Sequence, residues 1–362
     1  MEKNLFEQIQ TQPSLLDRLG NSERLALLLS FLIIGFSAAG FLAGVYGLIR
    51  WYHSPFILLL FFMIMMISWL SRPRPNRLSN QVFLLQPDHC PQTYKILTTI
   101  EKELGLSKRI QYGISPHYEA YTTEIGWKRT PVVVLGYPLL RACTPEELTA
   151  LVSHELAHCV NHDSRRSGPV AYALRILSNW SDMLDPSMHS IDTLYQILSK
   201  LLMRILYWIP YSLLFLLVHL FWNQSQRAEY KADRLAAKIA GSDAMISMLQ
   251  TVHLDHIFEM VVGKHALQKQ DNSLGDQLQE TFSQVPEKEK TRVQHILERS
   301  NKSMDTTHPS THYRIEMLRA HGQSPSHHMS AEECQAIRHE VNAQAQVKME
   351  RQMIDSYRAR HF

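Results

Sequence analysis

Apolar residues fall into long uninterrupted blocks along this chain. From Leu25 to Ile49 there is no charged side chain, and Leu, Phe and Ile dominate. As a helix this block is about 37 Å long at about 1.5 Å per residue, enough to cross a bilayer with some tilt. A short turn, Trp51-Tyr52-His53-Ser54, leads into a second uncharged run, Pro55 to Leu70. Together they read as a transmembrane hairpin. A cleavable signal peptide suits the first block poorly, because a long polar stretch precedes it and another apolar run follows at once. A third block, Leu201 to Trp222, is interrupted only by Arg204 and Pro210, and the proline is expected to kink it. Gly168–Asp185, before it, is moderately apolar but holds Arg175, Asp182 and Asp185, an amphipathic or interfacial pattern on its own.

The remaining segments alternate as soluble structure does. Pro91–Leu106 has helical periodicity that should stop at Gly105 or just after it. Ile110–Ile114 reads as a short strand. Tyr118–Ile125 and Pro131–Leu135 are β-rich runs flanking a turn at 126–130, which predicts a hairpin. Thr144-Pro145-Glu146-Glu147 opens a helix with an N-cap, a proline at the first position and a capping box. Leu148, Leu151, Val152 and Leu156 form its buried face, and it is expected to reach about Asp163. A second capping box, Ser330-Ala331-Glu332-Glu333, starts a long polar helix to about residue 358, read as a solvated structural helix.

Composition narrows the function. Charged residues are 20% and apolar residues 45% of the 362, which excludes a disordered acidic chain and a coiled coil. Lys and Arg number 37 against 34 Asp and Glu, a net charge of +3, a near-balance that argues against bulk nucleic-acid binding, which wants a concentrated basic surface. Four cysteines without a CxxC pair argue against a disulfide framework and exclude a Cys-rich zinc finger. Lys3, Arg18 and Arg24 precede the first span, Arg72, Arg74 and Arg77 follow the second, and only Arg50 lies between. That bias places both outer ends of the hairpin in the cytosol.

The capped helix carries His154-Glu155-Leu156-Ala157-His158. Histidines at i and i+4 share a helical face, so both imidazoles can reach one metal ion, with Glu155 beside them to hold a water. Nineteen histidines make a chance match of this pattern a real alternative. A third ligand is needed. The metzincin pattern asks for glycine at 161 and histidine at 164, where Asn161 and Ser164 stand. His162 has rotated off the face. Downstream, Arg227-Ala228-Glu229-Tyr230-Lys231-Ala232-Asp233 reads as a helical stretch opening a new segment, with Glu229 and Asp233 again i and i+4. This matches the gluzincin arrangement, in which a glutamate completes a His-His-Glu set and an aspartate one turn on orients a ligand imidazole. A surface Glu/Asp pair is the plain alternative.

From Pro91 to Leu318 the sequence resembles the membrane-bound gluzincin zinc endopeptidases of the HtpX type, relatives of the type I CAAX prenyl proteases. The likeness rests on the capped lead-in, the His-Glu-Leu-Ala-His helix with Asn161-His162-Asp163, the Glu-Tyr-Lys-Ala-Asp segment, and Thr307-His308-Pro309 with Arg314-Ile315. It departs from the family at Glu119-Ala120-Tyr121-Thr122, on the expected substrate strand. The resemblance implies a mainly α fold, with multi-pass membrane helices plus a gluzincin metalloprotease domain holding a small β-sheet. It divides the chain into an N-terminal cytosolic segment (1–24), a transmembrane hairpin (25–71), a first protease part (78–166), a second membrane-associated hairpin (167–223), a second protease part (224–322) and a C-terminal helix (323–362). It implies one Zn2+ per chain on His154, His158 and Glu229, Asp233 behind them, Glu155 as the catalytic base, and His308 and Arg314 as catalytic residues near the active site, one or the other of them the donor to the oxyanion.

Zn–N and Zn–O bonds are about 2 Å, so His158 and Glu229 must lie on one side of the membrane. Either Gly168–Asp185 crosses together with Leu201–Trp222, the preferred reading, or both stay at the cytosolic interface. Tyr118–Ile125 is a candidate edge strand for an extended peptide, with an interior strand as the alternative. The expected function is a zinc endopeptidase that cleaves membrane or unfolded proteins at the cytosolic face of a bacterial inner membrane, with polypeptides and the bilayer as partners and no nucleic acid. A prenyl-peptide processing protease and a catalytically silent zinc-stabilised scaffold are the alternatives.

Overall fold

The structure, a computed structural model, describes residues 2–12, 16, 20–72, 74–126, 128–161, 163–185, 194–268, 272–299 and 309–361. It forms two compact units. One comprises residues 1–16, 75–164 and 226–362, the other 17–74 and 165–225. The fold is mainly α with one small mixed sheet, as the sequence leads one to expect.

In chain order the elements begin with α1 (Glu2–Thr11), α2 (Asn21–Arg50), α3 (Pro55–Leu70), β1 (Phe83–Leu84) and α4 (Pro91–Glu103). Then come β2 (Gln111–Ser115), β3 (Ala120–Ile125), β4 (Thr130–Gly136), α5 (Tyr137–Ala142), α6 (Pro145–Val160), α7 (Asp163–Leu184) and α8 (Leu194–Ala240). The chain ends with α9 (Ser242–Thr251), α10 (Asp255–Leu267), α11 (Leu274–Ser283), α12 (Glu287–Arg299), α13 (Thr311–His321) and α14 (Ala331–His361).

The strands run in the order β1-β2-β4-β3. β2 and β4 are parallel, with Gln111 opposite Val132, and β3 returns antiparallel on β4, with Ala120 opposite Leu135. The predicted hairpin therefore forms, and β3 lies at the sheet edge. Its turn contains Gly126 at φ +67°, a conformation glycine adopts without strain. Arg129 pairs with Glu124 across the hairpin at 2.7 Å. Beneath the sheet, one apolar core joins Leu97 and Ile100 of α4, Tyr112 and Ile114 of β2, Leu148, Leu151, Val152 and Leu156 of α6, and Val341, Ala345 and Met349 of α14. The four α6 positions expected to be buried all are.

Three expectations need correction. First, α6 ends at Val160, three residues before the expected Asp163, and α7 begins at Asp163 itself. Second, Arg227 opens no new segment. Nothing between Trp222 and Ala240 breaks a helix, neither glycine nor proline, so Glu229 and Asp233 ride on the continuation of the third apolar block. Pro210 lies inside this 47-residue helix without ending it. Third, α14 is a core helix rather than a solvated one: Cys334, Ile337, Val341, Ala345, Met349 and Met353 form a buried stripe at helical spacing. Its polar residues serve other helices. Glu340 accepts from the backbone N–H of Gln92 (3.0 Å) and Thr93 (2.7 Å), capping α4, whose own Cys90 N-cap makes no side-chain bond. Arg338 donates to the carbonyls of Leu140 (3.0 Å) and Cys143 (2.6 Å) at the end of α5.

In the other unit, α2 and the Ile197–Ala240 stretch of α8 are long and apolar enough to cross a membrane, and α3 is a shorter apolar helix. Their outward faces expose large apolar side chains, among them Phe36, Phe56 and Phe215. α7 joins Val170, Ala173, Ile176 and Leu177 to Ala26 and Ile33 of α2 and Leu217 of α8 in a second apolar cluster. Arg175 and Asn179 donate to the carbonyls of Arg74 (3.3 Å) and Ser71 (3.2 Å), just past the end of α3.

α2 and α3 approach through glycines. A Cβ on Gly44 would stand 2.6 Å from Met65 Cβ, and one on Gly47 would stand 2.1 Å from the Phe61 ring, whereas nothing lies within 4 Å at Gly35. Gly47→Leu should therefore lower stability by about 1–3 kcal/mol through overpacking, while Gly35→Leu should cost nothing. Thermal unfolding of the two variants in detergent micelles checks this; equal midpoints would disprove the close approach.

Candidate metal centre

The helix that carries the two histidines is fixed at its start by two oxygens of one carboxylate. Glu147 Oε2 accepts from the Thr144 N–H (2.9 Å) while Thr144 Oγ1 accepts from the Glu147 N–H (3.2 Å), the capping box that the sequence predicts. Glu147 Oε1 also accepts from Thr251 Oγ1 (3.0 Å) and from Ser247, which ties α6 to α9. Every residue from Glu147 to Ala157 is buried. The imidazoles thus project from a helix that has little freedom to shift.

His154 Nε2 and His158 Nε2 lie 3.2 Å apart. The Glu229 carboxylate reaches them from α8, with Oε2 3.6 Å from His154 Nε2 and Oε1 3.6 Å from His158 Nε2. One donor atom from each of the three residues falls within 4.8 Å of the others. Bonds of about 2.0 Å in a tetrahedron set ligand atoms about 3.3 Å apart, so the spacing fits a zinc-sized ion held by three protein ligands with a fourth position open. Two nitrogens and a carboxylate oxygen also suit zinc chemically.

Behind the three donors lies Asp233, fully buried. Its Oδ1 is 3.0 Å from His154 Nδ1. A proton held there leaves the Nε2 lone pair for a metal, as carboxylate–histidine pairs do in metal sites. Arg314 of α13 grips the same carboxylate from the far side, Nε on Oδ2 at 2.7 Å and Nη2 on Oδ1 at 2.6 Å. Its Nη1 stands 3.6 Å from Glu229 Oε2. The carboxylates favour positive charge at this spot: burial alone would lower the His154 pKa, but Asp233 and Glu229 raise it to about 10. Burial likewise works against the Arg314 charge and Asp233 outweighs it, so the guanidinium pKa rises.

Glu155, on the same helix, does not join the three donors. It is buried and held from β3, where Thr122 Oγ1 donates to its carboxylate (3.0 Å) and lies 2.9 Å from its backbone carbonyl oxygen. A cavity of about 210 Å³ opens beside it, lined by Thr122, Glu124, His158, Cys159, Leu106 and Lys108. Cys159 is no thiolate nucleophile there, since burial first and Glu155 second push its pKa up to about 12.

Residues 96–321 match peptidase family M48, and this span contains every residue of the cluster. The chain belongs to peptidase family M48. Curated relatives agree: it is 28% identical over 172 residues to protease HtpX of Pseudomonas putida strain GB-1, covering 44% of this chain and 56% of that protein. Against protease HtpX of Stutzerimonas stutzeri strain A1501 the figures are 29% over 176 residues, 44% and 57%. The chain thus spans little more than half the length of the curated relatives it matches. M48 peptidases are zinc-dependent in general.

For the M48 residues expected from sequence, the structure brings together His154, His158, Glu229 and Asp233, with Glu155 and Arg314 in the same neighbourhood. Arg314 is engaged by Asp233, behind the ligands, rather than directed at an open substrate position. His308 lies outside the described residues. Sequence reasoning missed two contributors: Thr122, whose hydroxyl holds Glu155, and the second carboxylate oxygen of Glu147. A threonine on a predicted edge strand was visible, but its partner 33 positions on was not.

Removing the Arg314 guanidinium would strand a buried carboxylate. Arg314→Ala should cost about 3–5 kcal/mol, and Arg314→Lys should restore little of it, because an ammonium cannot make the two-armed contact. Chemical unfolding of the detergent-solubilised protein measures this. A loss below about 1 kcal/mol would show that Asp233 does not depend on Arg314.

Proposed function

We propose that this M48 chain is a membrane-anchored zinc endopeptidase that cuts extended segments of membrane or unfolded proteins at the cytosolic face. The observation that carries the reading is the convergence of His154, His158 and Glu229 within 4.8 Å, with Glu155 one residue from the first of them. His154, His158 and Glu229 would hold a zinc ion, whose Lewis acidity would lower the pKa of water toward about 7 and polarise the scissile carbonyl. Glu155 accepts the proton of the attacking water on its carboxylate and then delivers it to the leaving amine nitrogen. Thr122 holds that carboxylate in one orientation, which limits the reorganisation each turnover requires. Asp233 keeps the His154 ring turned to the metal, and Arg314 keeps Asp233 in place.

Substrate recognition follows from the sheet. β3 is an edge strand and holds Thr122, so a peptide adding along it would pass the base and the His154–His158 pair. Backbone pairing of this kind selects for extended chain and only loosely for side chains, which suits unfolded substrates. The basic residues Arg18, Arg24, Arg72, Arg74 and Arg77 against the lone Arg50 support a cytosolic site. His158 precedes α7 and Glu229 lies past the apolar part of α8, so a shared metal requires the excursion between them to start and end on one side of the membrane, whether as a crossing hairpin or as an interfacial pair.

Glu155→Gln should retain zinc but lower kcat on an unfolded protein substrate by about 10²–10⁴-fold. Thr122→Val should cost about tenfold at most, the worth of about one hydrogen bond. Glu229→Ala should lose the metal, and a chelator should abolish cleavage by the parent protein. Metal analysis with a casein digestion assay reads all four results. Full activity in Glu155→Gln would remove Glu155 as the base, and parental zinc content in Glu229→Ala would defeat the ligand assignment.

A further inference from the structure

The helix before the first membrane span is not a free leader. On α1, Leu5, Phe6 and Ile9 are buried while Gln8 and Gln10 are exposed, a one-sided pattern at helical spacing. With Leu16 they form a small apolar cluster separate from the main core, whose other members are Tyr230, Tyr313 and Met317. The Phe6 ring lies 4.8 Å from the ring of Tyr313 and 6.5 Å from that of Tyr230, centroid to centroid. Tyr230 directly follows Glu229 on α8, and Tyr313 directly precedes Arg314 on α13.

Adjacent helical residues point about 100° apart. The ring of Tyr230 therefore points about 100° round its helix from Glu229 and about 60° from Asp233, and that of Tyr313 about 100° from Arg314, on a neighbouring face of each helix. A contact on that face sets the rotation of a helix about its own axis. With side-chain ends about 6 Å from the axis, a turn of about 20° would move a ligand oxygen by about 2 Å, as long as a zinc–ligand bond. Asp233 and Arg314 lock the two helices to each other on one side, and Phe6 bridges them on another.

We propose that α1 is a positioning element of the metal centre, in which Phe6, packed between Tyr230 and Tyr313, fixes the rotation of α8 and α13 and so the placement of Glu229 and Arg314. The proposal rests on the metallopeptidase reading of those residues.

The test uses the full chain in detergent with cobalt(II) in place of zinc. Phe6→Ala should change the intensity or position of the visible cobalt bands, speed metal release to a chelator by about tenfold, and lower kcat by about tenfold with KM within about twofold. In metal-free protein, amide exchange over residues 228–236 and 311–318 should accelerate. Met349→Ala, in the main core, should lower the unfolding midpoint while leaving the bands and release rate unchanged, which separates positioning from general stability. Gln8→Ala, on the exposed face, should match the parent. Phe6→Leu should fall between the parent and Phe6→Ala, and it carries the test if Phe6→Ala does not fold. Parental bands, release and exchange in the Phe6 variants would overturn the proposal, as would equal effects from Met349→Ala. If the parent chain binds no cobalt or zinc, the metallopeptidase reading fails instead, and the exchange rates of the metal-free variants still decide whether α1 restrains the two helices.

Discussion

The architecture of the candidate site depends on one buried carboxylate, Asp233. It lies one turn beyond Glu229 on the same face of α8, so whatever holds Asp233 also orients Glu229. His154 of α6 stands 3.0 Å from it on one side, and Arg314 of α13 contacts it through two nitrogens on the other. Two opposite charges about 4 Å apart at an effective dielectric of about 20 attract by about 4 kcal/mol. That attraction acts where desolvation would make an isolated carboxylate untenable. Three helices from distant parts of the chain are thereby held to one point, and the ligand atoms converge because their shared neighbour does.

The same economy appears at the two ends of the histidine helix. Glu147 caps α6 with one oxygen and grips α9 with the other, so the N-terminal turn cannot unwind without breaking a tertiary contact. Near the other end, Thr122 of β3 reaches both the side chain and the backbone carbonyl of Glu155. On the proposed reading of Glu155 as the base, the strand that would present a peptide is also the element that fixes the carboxylate, so peptide docking and proton transfer would share one support.

Much of this was readable from local pattern. The capping box, the i and i+4 histidines, the second i and i+4 pair, the β-hairpin and the apolar hairpin are all written in contiguous stretches of sequence, because their cause is local. What escaped detection had distant causes. α14 reads as polar because Arg338 and Glu340 are charged, yet each completes the end of another helix far away in the chain. The continuity of α8 through Arg227 was legible in principle, since no breaker interrupts it, but the change from apolar to charged composition suggested a boundary that the backbone ignores. Arg314 could be assigned to the site by resemblance alone; that it grips Asp233 rather than facing a substrate requires coordinates. The burial of α1 against Tyr230 and Tyr313 was hidden because one aromatic and three aliphatic residues do not reveal their partners.

These contacts also explain how the site tolerates a long excursion between its ligands. His158 and Glu229 are separated by about seventy positions, nearly all of them in the unit formed by residues 17–74 and 165–225. Treated as a flexible loop, lengthening a connection tenfold costs only about 2 kcal/mol, because closure entropy grows with the logarithm of length. Breaking a buried, doubly hydrogen-bonded ion pair costs about 3–5 kcal/mol. Arg314 secures Asp233 at that cost, and Asp233 in turn meets His154 of α6 at 3.0 Å, the contact that joins the two halves of the ligand set across the intervening segment. The other unit keeps apolar outer faces, glycine-lined approaches between α2 and α3, and a charged residue, Arg175, whose guanidinium donates to a backbone carbonyl just past the end of α3.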